Sequence, residues 1–171
     1  NTPMFDPKAH MEEFLSRQRL LVVAPHSDDE TAGAGGLISR VKKAGGQAYV
    51  MVLSTGCLDH FDGKKGTIHG DTRGQELEDA MKVLKVDDFE ILLPNDTLHM
   101  QLDTLPRKQL IDLIERSGRL ATEKLMPTMI VLPAPSFNQD HEAVYKAGIS
   151  ACRPHLSTLK AFQRVVLVAD A

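Results

Sequence analysis

Five short apolar runs recur along the chain, at residues 20–24, 47–54, 89–93, 128–132 and 163–169, with helically spaced stretches between them. The runs are nearly continuous rather than alternating in polarity. A strand that is apolar on both sides needs cover on both faces, and that pattern belongs to a parallel sheet held between two helical layers. The spacing predicts helices over residues 7–16, 31–44, 71–86, 105–125 and 141–152. Asp6-Pro7 supplies an N-cap and a proline for the first turn, and Gly45-Gly46 supplies a stop. Gly118 falls inside the fourth helical stretch and is expected to be tolerated without ending it. No repeat, low-complexity tract or linker interrupts the alternation. The expectation is a single doubly wound α/β domain over residues 1–171, with a mainly parallel sheet of about five strands and helices on both faces. The last predicted strand ends just before Asp170-Ala171, so further residues beyond Ala171 are expected.

Composition excludes several classes of partner. A formal net charge of −3 offers no general attraction for nucleic acid or anionic membrane. No apolar run reaches the length of a membrane span, and residues 1–7 lack the basic and apolar regions of a signal peptide, so the cytoplasm is the expected compartment. Two isolated cysteines, Cys57 and Cys152, make neither a disulfide framework nor a CxxC metal site.

The chemistry gathers where a parallel sheet puts it, at the carboxyl ends of the strands. His26-Ser27-Asp28-Asp29-Glu30 follows the first run, and Ser54-Thr55-Gly56-Cys57-Leu58-Asp59-His60 follows the second. Asn95-Asp96 follows the third, and Asn138-Gln139-Asp140-His141 the fourth. His26 and Asp29, three residues apart at a strand-to-helix turn, can point the same way. With His141 they make two imidazoles and one carboxylate, a set that suits zinc and leaves a coordination position open. Asp28 and Asp29 cannot easily share one ion from the same side of a turn, so one carboxylate is free to accept a proton. A helix-capping role explains one acidic residue at this place, but not three ionisable groups and a distant Asp-His pair.

Other clusters carry less. Gly33-Ala34-Gly35-Gly36 does not form a dinucleotide fingerprint, because His26 to Glu30 occupy the turn where its glycines belong. These glycines are expected to allow close helix packing behind the site. Arg73 opens a helix at the functional edge and fits either a surface pair with Glu76 or a contact to a substrate oxygen. His60, beside Asp59, reads as a solvated loop residue, and His10, His69, His99 and His155 have no patterned acidic partner.

Pro25-His26-Ser27-Asp28-Asp29-Glu30 resembles the Pro-His-(Pro/Ser)-Asp-Asp-Glu motif of the PIG-L/LmbE-type zinc deacetylases. Asn138-Gln139-Asp140-His141 is similar to that family's second motif, often His-x-Asp-His, and Arg73-Gly74-Gln75-Glu76 to its intermediate Arg-x-x-Glu. The resemblance covers nearly the whole chain and implies a Rossmann-like fold. It also implies zinc-dependent removal of an N-acetyl group from an N-acetylglucosamine-type sugar or conjugate. Carried over, it makes His26, Asp29 and His141 the ligands of one Zn2+ ion, with Fe2+ an alternative in the cell. Asp28 becomes the general base, Arg73 and Asp96 substrate contacts, and Asp140 a residue that orients a ligand or tunes an imidazole. Many relatives have histidine in place of Asn138; asparagine can donate to an oxyanion but cannot supply a proton.

Two other readings follow from the same residues. One is a non-catalytic carbohydrate-binding protein that retains the metal site, which Asn138 keeps open. The other is a magnesium phosphohydrolase, which two histidine ligands argue against. The expected partner is a small amino-sugar conjugate rather than nucleic acid or membrane. A homo-oligomer is compatible with the sequence.

Overall fold

The computed structural model describes residues 6–59, 67–94, 96–153 and 162–171. His60, Asn95 and His155 lie outside them. The chain opens with α1 (Pro7–Ser16), capped by the Asp6 carboxylate, which accepts from Lys8 N at 3.0 Å. There follow β1 (Arg19–His26), α2 (Asp29–Ala44), β2 (Gln47–Ser54), a two-stranded hairpin of β3 (Leu58–Asp59) and β4 (Thr67–Ile68), α3 (Gly70–Leu84) and β5 (Asp88–Leu93). A 3-10 turn (Leu102–Thr104) leads to α4 (Arg107–Asp112), a π-helical turn (Leu113–Ser117) and α5 (Thr122–Leu125). The chain then continues through β6 (Met129–Pro133), α6 (Gln139–Ala151) and β7 (Val165–Ala169). The main sheet has the order β5-β2-β1-β6-β7, and every pairing in it is parallel.

Continuous apolar strands serve both faces, as the sequence pattern requires. Leu20, Val22 and Val50 turn toward Ile38, Val41 and Leu77 of α2 and α3, while Leu21, Val23 and Met51 turn toward Leu110 of α4 and Val144 of α6. β7 departs from the pattern. It lies at the sheet edge, and Val166, Leu167 and Val168 stay partly exposed.

The predicted helix over residues 105–125 is broken, and Gly118 does end its first part. The cause is Glu90 on β5. Its carboxylate accepts the backbone N–H of Arg119 at 2.8 Å and of Leu120 at 2.7 Å, and a Cβ at residue 118 would sit 2.5 Å from Glu90 Oε1. Only glycine leaves room for that carboxylate to take over the backbone bonds of the next two residues. Among the glycines of α2, a Cβ at Gly33 would lie 3.4 Å from Ala169 Cβ and from the Asp170 carbonyl, and one at Gly35 3.7 Å from Thr31, both ordinary van der Waals contact. A Cβ at Gly36 would meet nothing within 4 Å, so the expected close packing requires none of the three.

Strand order reverses between β1 and β6, and the register opens a crevice there. β1 pairs with β2 as far as His26↔Ser54, but with β6 only from Leu20↔Met129 to Val22↔Val131. Past Val22 the two central strands part, at the place where ligands collect in sheets of this kind. Among the described residues, no helix is long and apolar enough to cross a membrane.

Candidate metal centre

His26 is the last residue of β1, Asp29 the first of α2, and His141 lies in the first turn of α6, so the strand divergence aims all three into one crevice. Asp29 Oδ2 is their meeting point, 3.3 Å from His26 Nδ1 and 3.2 Å from His141 Nε2, and it accepts the His26 backbone N–H at 3.0 Å. One ligand atom from each residue can be chosen so that all lie within 4.8 Å of one another. Both imidazoles are buried. The three line a cavity of about 770 Å³ together with Asp28, Arg73, His99 and Asn138.

The donor set fits a cation. The second nitrogen of His26, Nε2, donates to Asp140 Oδ2 at 2.8 Å, which leaves the Nδ1 lone pair facing the Asp29 carboxylate. Two electron-rich atoms held that close need a positive charge between them. In the bare protein a proton serves. Burial opposes the charge on His26, but hydrogen bonds to Asp140 and Asp29 win and push its pKa up to about 9. Asp29 shows the same attraction: burial alone would raise its pKa, yet the His26 hydrogen bond and the His141 and His26 charges hold it below the usual range. A divalent ion satisfies these donors as a proton does, and a carboxylate behind a ligating imidazole fixes its tautomer. His141 lacks such a brace; its Nδ1 is buried with no hydrogen-bond partner among the described residues.

Asp140 is fully buried, and its other oxygen, Oδ1, accepts Leu102 N at 2.8 Å. It thereby ties the 3-10 turn to the site. Asn138 caps α6, its Oδ1 accepting Asp140 N at 2.9 Å. That bond fixes the amide orientation and leaves Nδ2 on the cavity side, 3.9 Å from Met100 Sδ.

Asp28 differs from its neighbour in exposure, backbone conformation and the direction of its pKa shift. Its side chain is 75% exposed at the cavity mouth, its backbone sits at φ 110°, and it makes no side-chain cap bond to α2. Partial desolvation and the Asp29 charge raise its pKa, with Arg73 and His26 pulling the other way. A raised, accessible carboxylate beside a cation site is suited to take up a proton.

Two residues assigned to substrate contact sit differently with respect to this cavity. Arg73 lines the cavity, but its side chain is only 7% exposed and both of its terminal nitrogens are engaged within the protein. Nη2 reaches the Ser27 carbonyl at 2.7 Å and lies 3.6 Å from Asp28 Oδ2, while Nη1 reaches His99 Nε2 at 2.8 Å. These partners, rather than Glu76, engage the guanidinium. Asp96 is not brought to this cavity. Its Oδ1 accepts Cys57 N at 2.6 Å, and it lines a neighbouring cavity of about 550 Å³ with His69. Two residues are missed by the sequence pattern. His99 is buried and packs edge-on against His26 with ring centroids 5.2 Å apart. Burial and the His26 and Arg73 charges hold its pKa down to about 4, so it is neutral. Glu30, also buried, accepts Asp28 N and the Thr31 hydroxyl, and burial raises its pKa.

Comparison with known proteins bears on this site. The sequence profile of the family described as PIG-L, GlcNAc-PI de-N-acetylase, matches residues 21–152. The chain is 27% identical over 143 residues to the uncharacterized deacetylase YaiS of Escherichia coli (strain K12), covering 80% of this chain and 69% of that one. It is 28% identical over 142 residues to the probable N-acetyl-alpha-D-glucosaminyl L-malate deacetylase 2 of Bacillus subtilis (strain 168), covering 79% and 61%. Among solved structures, the conserved protein TT1542 from Thermus thermophilus matches with a TM-score of 0.68 at 25% identity, over 90% of this chain and 66% of that one. The chain thus spans about two thirds of the length of these relatives.

Proposed function

This chain belongs to the PIG-L family, and from that premise we propose that it is a zinc-dependent N-deacetylase acting on an N-acetylglucosamine-type sugar or conjugate. The observation that carries the reading is the convergence of His26, Asp29 and His141 with the Asp28 carboxylate at the mouth of one cavity. The substrate class is supported by the glucosaminyl conjugate named in the Bacillus subtilis relative.

In this reading His26 Nδ1, Asp29 Oδ2 and His141 Nε2 hold one ion, with Asp140 keeping His26 in the required tautomer. Zinc supplies Lewis acidity toward the amide carbonyl and a lowered water pKa when bound. Asp28 takes the proton of the attacking water and returns it to the departing amine, the task its raised pKa favours. Asn138 Nδ2, on the cavity side, donates to the developing oxyanion and leaves the proton transfers to Asp28. Iron(II) fits the same donors and is an alternative ion.

The test is amine release from a panel of N-acetylglucosamine conjugates, including N-acetylglucosaminyl malate, with and without chelator. Turnover that chelator abolishes and zinc restores is expected. Saturable sugar binding with bound metal and no amine from any conjugate would overturn the reading in favour of a carbohydrate-binding protein. Turnover indifferent to chelator would overturn the metal assignment.

A further inference from the structure

We propose that Glu30, Arg73 and His99 are positioning residues that clamp the Ser27–Asp28 peptide plane and so aim the Asp28 carboxylate into the cavity. The proposal rests on the deacetylase reading above, with Asp28 as its base.

The Ser27 carbonyl and the Asp28 N–H belong to one peptide group. Arg73 Nη2 donates to that carbonyl at 2.7 Å, and the N–H donates to Glu30 Oε2 at 3.0 Å. One peptide plane is therefore gripped at both ends by charged side chains, a cation on its oxygen and a carboxylate on its N–H. Both side chains are buried, Glu30 at 1% and Arg73 at 6% exposure. Burying two charges is unfavourable unless hydrogen bonds satisfy them, and each directs one here at the same backbone unit.

His99 holds the far end of Arg73. A guanidinium only donates, so Nη1 at 2.8 Å requires a lone pair on His99 Nε2. The His99 proton is then on Nδ1, 3.4 Å from Ser54 Oγ. Ser54 is itself buried at the end of β2, so the clamp is anchored in the sheet.

The strain lies just past the clamp. Asp28 has φ 110° and ψ −33°, in a region that glycine tolerates and other residues occupy at a cost, and α2 begins at the next residue. Its side chain makes no cap bond, so no capping contact of its own holds this conformation. A freed Ser27–Asp28 peptide can rotate and relax φ, which swings the Asp28 Cβ and carboxylate. A displacement of about 1 Å at a reacting group can cost on the order of 10²-fold in rate.

His99→Leu removes the acceptor and keeps an apolar side chain, while His99→Gln keeps an acceptor. With an N-acetylglucosamine conjugate as substrate, His99→Leu is expected to lower kcat by about 10- to 100-fold with KM little changed and zinc content unaltered. His99→Gln should recover most of the loss. In an Asp28→Asn background, His99→Leu should add little, because it acts through Asp28. A crystal structure of His99→Leu should show Asp28 relaxed out of positive φ, a readout that needs no turnover. Should His99→Leu fail to fold, Arg73→Lys reads the same clamp, since one ammonium cannot replace the guanidinium's two grips. Wild-type kcat, a loss confined to KM, or an unmoved Asp28 in the variant structure would overturn the clamp. Wild-type turnover by Asp28→Asn alone would instead overturn the assignment of the base.

Discussion

The two ends of the sheet use the same kinds of residue for different purposes. At the amino end, Lys42 pairs with Asp87 at 2.8 Å, the two side chains 20% and 33% exposed, and Asp87 also caps the start of β2 by accepting Ala48 N. At the carboxyl end, His26, Glu30, Arg73, Asp140 and His141 are all buried, and most of them bind one another or the same short backbone turn. Water can replace a lost partner of the Lys42–Asp87 pair at the first end. It cannot at the second, where removing one member leaves another charge uncompensated in a poorly hydrated setting.

Four substitutions probe this contrast, in descending order of effect. His141→Ala removes one of the three donors, and both bound zinc and amine release should fall to background in metal analysis and activity assays. Retention of stoichiometric zinc would mean that the donor set is wrong. Asp140→Asn weakens the brace on His26 and the tie to Leu102, and zinc affinity in a competition titration is expected to drop by roughly 10- to 100-fold. An unchanged affinity would reduce Asp140 to a packing residue.

Asp28→Gly should act in the other direction. Glycine accepts φ 110° without strain and forfeits no cap bond. Thermal unfolding should therefore rise by about 2–4 °C for each kcal/mol of strain released, with about 1–3 kcal/mol available, while activity is lost. A lowered Tm would show that the Asp28 conformation is not strained. Lys42→Met, at the opposite end, should cost less than about 1 kcal/mol in denaturant unfolding and leave turnover intact. A large loss of activity there would erase the distinction between the two ends.

Much of this layout is legible in the sequence. Continuous apolar runs specify strands covered on both faces, and a parallel sheet sends the segments after its strands to one edge. That is how His26, Asp29 and His141 can be grouped although His141 lies far along the chain. What the sequence hides has a common cause. His99 meets His26 and Arg73, the latter 26 positions away, and no periodicity encodes how a loop folds back. Glu30 ends the charged cluster after the first strand with no role of its own in the sequence, and only its burial and its bond from Asp28 N reveal that it grips the backbone. Gly118 sits in a helical pattern, and the carboxylate that breaks the helix comes from Glu90 on β5. Arg73 falls at the expected edge, but which way a long side chain turns is decided by the acceptors around it.

Asp28 and Asp29 are adjacent yet unlike, and amine release by zinc-loaded Asp28→Asn separates their roles in one assay. The expected result is full zinc occupancy with kcat reduced by about 10²- to 10⁴-fold, the range a positioned acid–base group contributes. Wild-type turnover at full occupancy would contradict it.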